Sequence, residues 1–189
     1  DTSLGGGVTF RQGSHQFDII RYVGGGLLRS VRASVKRLDP ARGAEGAHAV
    51  FLEFDSGVVG TAIYNGYDHF RSAELGFNVG ENGKPTDISR YGASRKALQS
   101  APIGAEEEMK KGFRYGGSRS RSFTGENFES APFYGITIIS CDRGDIRQSP
   151  NGLLIYGEDD IREIIVPKDV SGRDNILTEL YESITTRTA

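Results

Sequence analysis

The clearest periodicity in the chain lies near its start. Between the glycine triplets at 5–7 and 24–26, Phe10, Gly13, Phe17 and Ile20 recur at helical spacing and form one apolar stripe. Arg11, His15, Asp18 and Tyr22 form a second stripe, which is polar. The pattern predicts a helix packed on a core along the first stripe, with Gly13 admitting a close neighbour. The second stripe sets a guanidinium, an imidazole, a carboxylate and a phenol in a row. His15 comes one turn after Arg11, so both can reach one ligand. Gly24-Gly25-Gly26 reads as the C-cap and turn that end the helix.

The period then changes to two. Residues 27–38 alternate apolar and polar positions and predict a strand with one buried face. A second strand is expected at 49–54, a tight turn at Asp55-Ser56-Gly57, a third strand at 58–64 and a fourth at 73–79. The short connections imply antiparallel pairing. Residues 80–132 are different: rich in glycine, serine, arginine and lysine, poor in aliphatics. They read as a flexible insert with helices at 89–99 and 105–111 and a mobile run at 115–121. A dimer contact, a cover over a site and a loose loop all suit such an insert. An apolar strand at 133–141 and short strands at 145–148, 152–156 and 161–166 follow. The last element is an amphipathic helix at 173–185 with Ile176, Leu177, Leu180 and Ile184 on one stripe. The expected class is α+β: one open, largely antiparallel sheet with helices on one face, the other face needing something to bury it.

Composition narrows the partners. With 189 residues the chain suits a single domain spanning 1–189. A hydrophobic share of 37% with 25% charged residues is globular, and a formal net charge of −2 gives no case for nucleic acid or an anionic membrane. The one cysteine, Cys141, forms no intrachain disulfide. It suits a reducing, cytoplasmic setting and is expected to be buried and inert at the end of its strand. No apolar run reaches the length of a membrane span. The lone methionine is Met109, and the chain reads as a piece of a longer protein.

Candidate chemistry centres on His15. Its imidazole can exchange a proton with a hydroxyl near neutral pH; the plainer alternative is a polar helix residue bonded to Asp18 or a carbonyl. Arg11 cannot act as a base but can hold a carboxylate bidentately, or else form a structural pair. Asp18 either orients His15 or pairs with Arg21 or Tyr22. His48 begins a strand and is expected at the surface. Tyr67-Asp68-His69 reads as a turn at a hairpin end, because adjacent strand residues point to opposite faces. Arg143-Gly144-Asp145 likewise reads as a turn. Three scattered histidines and one cysteine make no zinc site by spacing, so no metal is expected. No GxGxxG follows a strand, and Ser14 lacks a nucleophile elbow.

These residues also carry a resemblance. Gly5-Gly6-Gly7, three residues, Arg11, three residues, His15 resembles the motif of the Gfo/Idh/MocA family of NAD(P)-dependent oxidoreductases. That motif is three glycines, three residues, an aspartate, three residues, a histidine; Asp18, Arg21 and Gly24 fit as well. His15 matches the family histidine, and Arg11 stands where most members have aspartate. Arg11-Gln12-Gly13-Ser14-His15-Gln16 and Tyr67-Asp68-His69 point to a branch similar to phthalate dihydrodiol dehydrogenases. The resemblance implies a glyceraldehyde-3-phosphate dehydrogenase-like C-terminal domain for substrate binding and oligomerisation. NAD or NADP, with a lysine, would belong to an N-terminal Rossmann domain absent here, so this chain alone should bind no cofactor and be inactive. Implied roles are His15 as the catalytic residue and Arg11, Gln12 and Asp18 in binding a small, anionic substrate. Hydride would pass to or from a carbinol or dihydrodiol carbon, and a homo-oligomer would form through the open sheet face. The alternative is a non-catalytic binding or dimerisation module on the same fold.

Overall fold

The computed structural model describes residues 6–40, 42–67, 69–81, 83–102, 105–113, 116–118, 129–167 and 172–187. Its contacts divide the chain into two units, residues 1–69 and 70–189.

The first unit begins with α1 (Val8–Arg11) and α2 (Gly13–Gly24). The single helix expected here is interrupted at Gln12, but the backbone there keeps a right-handed helical conformation (φ −95°, ψ −35°). The Gln12 N–H still donates to the Val8 carbonyl at 2.7 Å, so the four-residue step from Arg11 to His15 still amounts to about one turn. The helix stops at the glycines as the pattern predicts: Gly25 has φ 60° and its N–H donates to the Arg21 carbonyl. β-branched and aromatic residues take over in β1 (Leu28–Lys36), β2 (Ala47–Phe54) and β3 (Val59–Asn65). The three pair antiparallel in the order β1-β2-β3.

β2 is the central strand and shows the period of two most plainly. His48, Val50, Leu52 and Phe54 are all buried, while Ala49 and Phe51 face the other way. Val50, Leu52, Phe54 and Ala62 form the core of this unit, and Phe17 and Ile20 of α2 pack on it. The apolar stripe therefore lies on the sheet as expected, except that Phe10 is 73% exposed. Gly24 lets α2 come close to the sheet: a Cβ there would sit 2.7 Å from Cζ of Phe54. β1 corrects the expected buried face, since all its residues but Ser30 are exposed.

The second unit holds β4 (Ile138–Cys141), β5 (Gly144–Ser149), β6 (Gly152–Tyr156) and β7 (Ile161–Ile165) as a four-stranded antiparallel meander. Among the described residues, hydrogen bonding thus divides the strands into two sheets, where the pattern suggested one. α3 (Ala93–Gln99), α4 (Glu106–Phe113) and α5 (Gly172–Thr186) fall close to the helices expected. The strand expected at 73–79 is instead a 3-10 helix (Ser72–Leu75) followed by Phe77 and Asn78 at φ 58° and 57°, values no extended strand accepts. The strand expected from 133 starts only at Ile138, because Gly135 at φ 103° breaks the extended run. Cys141, expected to be buried, is exposed: it ends the edge strand β4. Asp68 and residues 119–128 of the insert lie outside the described residues. The chain is α+β, built of antiparallel sheets with a few helices. Among the described residues no helix is long and apolar enough to cross a membrane.

Candidate functional site

The glycine triplet has a local explanation. The first turn of a helix leaves backbone N–H groups without intrahelical partners. In α1 the loop before β2 supplies them: Val8 N–H donates to the Glu45 carbonyl at 3.2 Å and Thr9 N–H to Glu45 Oε1 at 3.3 Å. A carboxylate at this end also suits the helix dipole. The contact needs Gly7, because a Cβ there would overlap both the carboxylate and the carbonyl of Glu45. Gly46 repeats the device one residue later, where the Tyr67 ring lies against it, and the Arg42 guanidinium sits 5.7 Å from the centre of that ring. Gly7, Glu45, Gly46, Tyr67 and Arg42 therefore meet at one end of the first unit, joining the triplet to the start of the Tyr67-Asp68-His69 segment.

The predicted site residues follow on the helices. Arg11, Gln12, His15 and Asp18 are all exposed, and Tyr22 beyond them is 87% exposed. Among the described residues the side chains of Arg11, His15 and Asp18 have no hydrogen bond or ion pair, so neither an Asp18–His15 nor an Asp18–Arg21 pairing is formed. Ser14 Oγ donates to the Arg11 carbonyl at 3.1 Å. The outward row can offer a donor fork, a proton-exchanging ring and a carboxylate to something laid across it. An open cavity of about 400 Å³ lies elsewhere, lined by Arg143, Ile155, Glu158 and Arg162 among others, and none of the row lines it.

The histidine with close partners is His48, which corrects the expectation that it lies at the surface. It is 3% exposed. Its Nε2 is 2.9 Å from Gln16 Oε1 and its Nδ1 3.3 Å from Thr9 Oγ1. Gln16 Nε2 donates onward to the Ile63 carbonyl at 3.4 Å. Burial holds the pKa of His48 below the usual imidazole value, and the nearby Glu45 carboxylate offsets part of that. Thr9, Gln16, Glu45 and His48 were not singled out as site residues from the sequence. The signal was present: starting β2 at Ala47 puts His48 in phase with Val50, Leu52 and Phe54.

Neither glycine cluster suits a dinucleotide pyrophosphate. Gly24-Gly25-Gly26 follows a helix, where a phosphate turn must precede one. The N–H groups behind Gly7 are taken by Glu45, whose charge would repel phosphate. Among the described residues no group of three or more His, Cys, Asp or Glu could hold a metal ion.

Residues 1–83 match the model of the GFO/IDH/MocA C-terminal domain. Over 187 residues the chain is 31% identical to 1-carboxy-3-chloro-3,4-dihydroxycyclohexa-1,5-diene dehydrogenase of Comamonas testosteroni; the match covers 97% of this chain and 47% of that enzyme. A crystal structure of a Bordetella bronchiseptica RB50 protein assigned as a dehydrogenase is 33% identical, with a TM-score of 0.82, and the match covers 100% of this chain and 48% of that one. The chain thus spans about half the length of each relative.

Proposed function

We propose that the chain, whose residues 1–83 match the GFO/IDH/MocA C-terminal domain model, is the substrate-binding and oligomerisation part of an NAD(P)-dependent dehydrogenase. The hydride acceptor and the Rossmann domain that carries it are assigned to the remainder of the protein, because the glycine turns of this chain do not suit a pyrophosphate. The substrate class is a small carboxylated dihydrodiol. The Comamonas relative is named for a compound with one carboxyl group and two neighbouring hydroxyls, which is the pair of functions that Arg11 and His15 could address. Arg11 grips the carboxylate as a two-pronged donor. His15 takes the hydroxyl proton as hydride leaves the same carbon. Gln12 and Asp18 hold the remaining hydroxyl.

The observation that carries this reading is the outward, unpartnered pair Arg11 and His15, a helical turn apart. The test is steady-state kinetics of the full-length protein on a carboxylated cyclohexadiene cis-diol with NAD+ or NADP+. His15→Ala should lower kcat by roughly 10²–10⁴-fold, the usual contribution of a positioned acid–base group. Arg11→Ala should raise KM by roughly ten- to a hundredfold, the worth of a charge-assisted hydrogen bond. Unchanged kinetics in both variants would sink the assignment and favour a non-catalytic module.

The sheet face opposite the core is assigned to a second copy of the chain. Phe51 and Ile63 are exposed on it, and register places Ile63 opposite Ala49 on the same face. Light scattering of the full-length protein should give a dimer or higher; a monomer well above micromolar concentration would remove this contact. We assign the protein to a reducing, cytoplasmic setting, which the single cysteine of this chain suits.

A further inference from the structure

The outward row on α1 and α2 is only as well aimed as the helices beneath it. The inner side of those helices meets one buried polar group, His48, and the hydrogen bonds around it have a fixed sense. Gln16 Nε2 donates to the Ile63 carbonyl. That leaves the side-chain oxygen of Gln16, which can only accept, toward His48. His48 Nε2 must therefore carry a hydrogen. A neutral ring then has a bare Nδ1, which accepts a hydrogen bond from the Thr9 hydroxyl. One directed chain runs from Thr9 on α1 through His48 on β2 and Gln16 on α2 to Ile63 on β3.

We propose that His48 is a positioning residue for this surface: its ring, carrying hydrogen on Nε2 alone, sets the rotation of α1 and α2 on the sheet and so the outward aim of Arg11 and His15. The packing leaves the ring little choice. Gly13 has no side chain where α2 crosses it, and a Cβ there would stand 3.3 Å from Cε1 of His48. The rings of Phe17 and Tyr64 lie 5.6 Å and 5.9 Å away, centre to centre. Residues 15 and 16 are adjacent, so a turn of the helix that frees Gln16 also swings His15.

The charge around His48 supports a neutral ring. Thr9, Gln16 and Phe17 on the helices and Val35 across on β1 carry no charge, and Tyr64 on β3 is a phenol. Among the described residues Glu45, on the loop into β2, is the carboxylate that acts on it, and burial outweighs it. The sign of the pH dependence follows. Above pH 6.5, the ordinary imidazole value, the ring is neutral folded or unfolded and the contribution is complete. As pH falls below that value the unfolded chain takes up a proton that the folded chain refuses, and stability is lost.

The aim of Arg11 and His15 matters only if the proposed function holds; the hydrogen-bond chain stands apart from it. Three measurements on the full-length protein with 15N-labelled histidine decide the matter. At pH 7 and at pH values somewhat below 6.5, His48 should show a protonated Nε2 and a bare Nδ1. The opposite tautomer, or a ring that takes up its proton at or above 6.5, overturns the proposal. His48→Leu should speed amide exchange in α2 by about tenfold, the loss expected from breaking one or two buried hydrogen bonds. His48→Gln, which keeps a donor toward Gln16, should recover most of it, and equal exchange in the two variants overturns the proposal. The His15 ring resonances should shift in His48→Leu and return in His48→Gln; a His15 signal indifferent to both removes the positioning role. Should His48→Leu fail to fold, the tautomer in the wild-type protein still decides. Should the diol assays fail while these three results hold, the substrate chemistry falls and the positioning stands.

Discussion

The two sides of α1 and α2 obey different rules. The inner side is a matter of volume. Where the helix meets the sheet, the pairs are one large residue against one without a side chain: Gly24 under Phe54, Ile20 over Gly60, Gly13 beside His48. The outer side is a matter of chemistry. Arg11, Gln12, His15, Asp18 and Tyr22 stand exposed, and nothing in the packing requires those residue types. A helix held by its inner side alone could carry almost any polar outer side. The outer residues are thus free to be chosen for a ligand, and substitutions on the two sides should separate stability from activity.

The largest effect is expected where the inner side is fullest. Phe54 is 1% exposed, and Phe54→Ala removes an aromatic ring from a site that cannot collapse around the loss, at a cost of about 3–5 kcal/mol. That is a large part of the stability of a typical domain, about 5–15 kcal/mol. Gly24→Ala tests the same contact from the other partner. Alanine is favoured over glycine inside a helix by about 1 kcal/mol, an upper bound for Gly24, the last residue of α2. The new Cβ, however, would lie 2.7 Å from Cζ of Phe54, a ring with no room to retreat. Overpacking of that kind costs about 1–3 kcal/mol. The clash should outweigh the propensity, leaving Gly24→Ala mildly destabilised. Chemical denaturation of both variants checks this. A stabilised Gly24→Ala would mean that the helix rides off the sheet and that the inner side is looser than the Gly24–Phe54 contact implies.

The same contrast explains what could be read from the sequence. The inner stripe at Gly13, Phe17 and Ile20 was legible because helical burial repeats every three or four residues. Phe10 was placed on that stripe and is not on it. Phe10 lies on α1, where Thr9 is the residue that reaches His48 on the sheet, and periodicity does not record where along a stripe the core ends. The glycine triplet was legible as a motif, but its partner was not, since Thr9 and Glu45 are 36 residues apart and only the fold brings them together. His48 was misjudged by a boundary: beginning the strand two residues late left it outside the alternation that buries it. The supposed strand at 73–79 shows the reverse error. Leu75, Phe77 and Val79 alternate as a strand would, yet Phe77 and Asn78 turn left-handed, and no pattern of apolar residues records the sign of φ. The order of helical and strand periods along the chain carried the α+β class, and the residue types of the outer row stand in the sequence itself. Which atoms of a ligand those residues meet depends on a surface that this chain presents and does not enclose.

The smallest effect on stability, and the sharpest test of the comparison, belongs to the outer side. Arg11 and His15 have no partner among the described residues, so truncating them breaks no contact and opens no cavity. Exposed substitutions away from caps and buried contacts change stability by about 0.5 kcal/mol or less. Alanine is also the best helix former, which offsets part of whatever is lost. The double variant Arg11→Ala/His15→Ala should therefore unfold at the wild-type denaturant midpoint while failing on the carboxylated diol. A clear loss of stability would show that these side chains pack against something in the full protein, and their outward row would then be an internal contact. Wild-type stability with lost turnover is the outcome a binding surface requires, because only a ligand would then notice that the two side chains had gone.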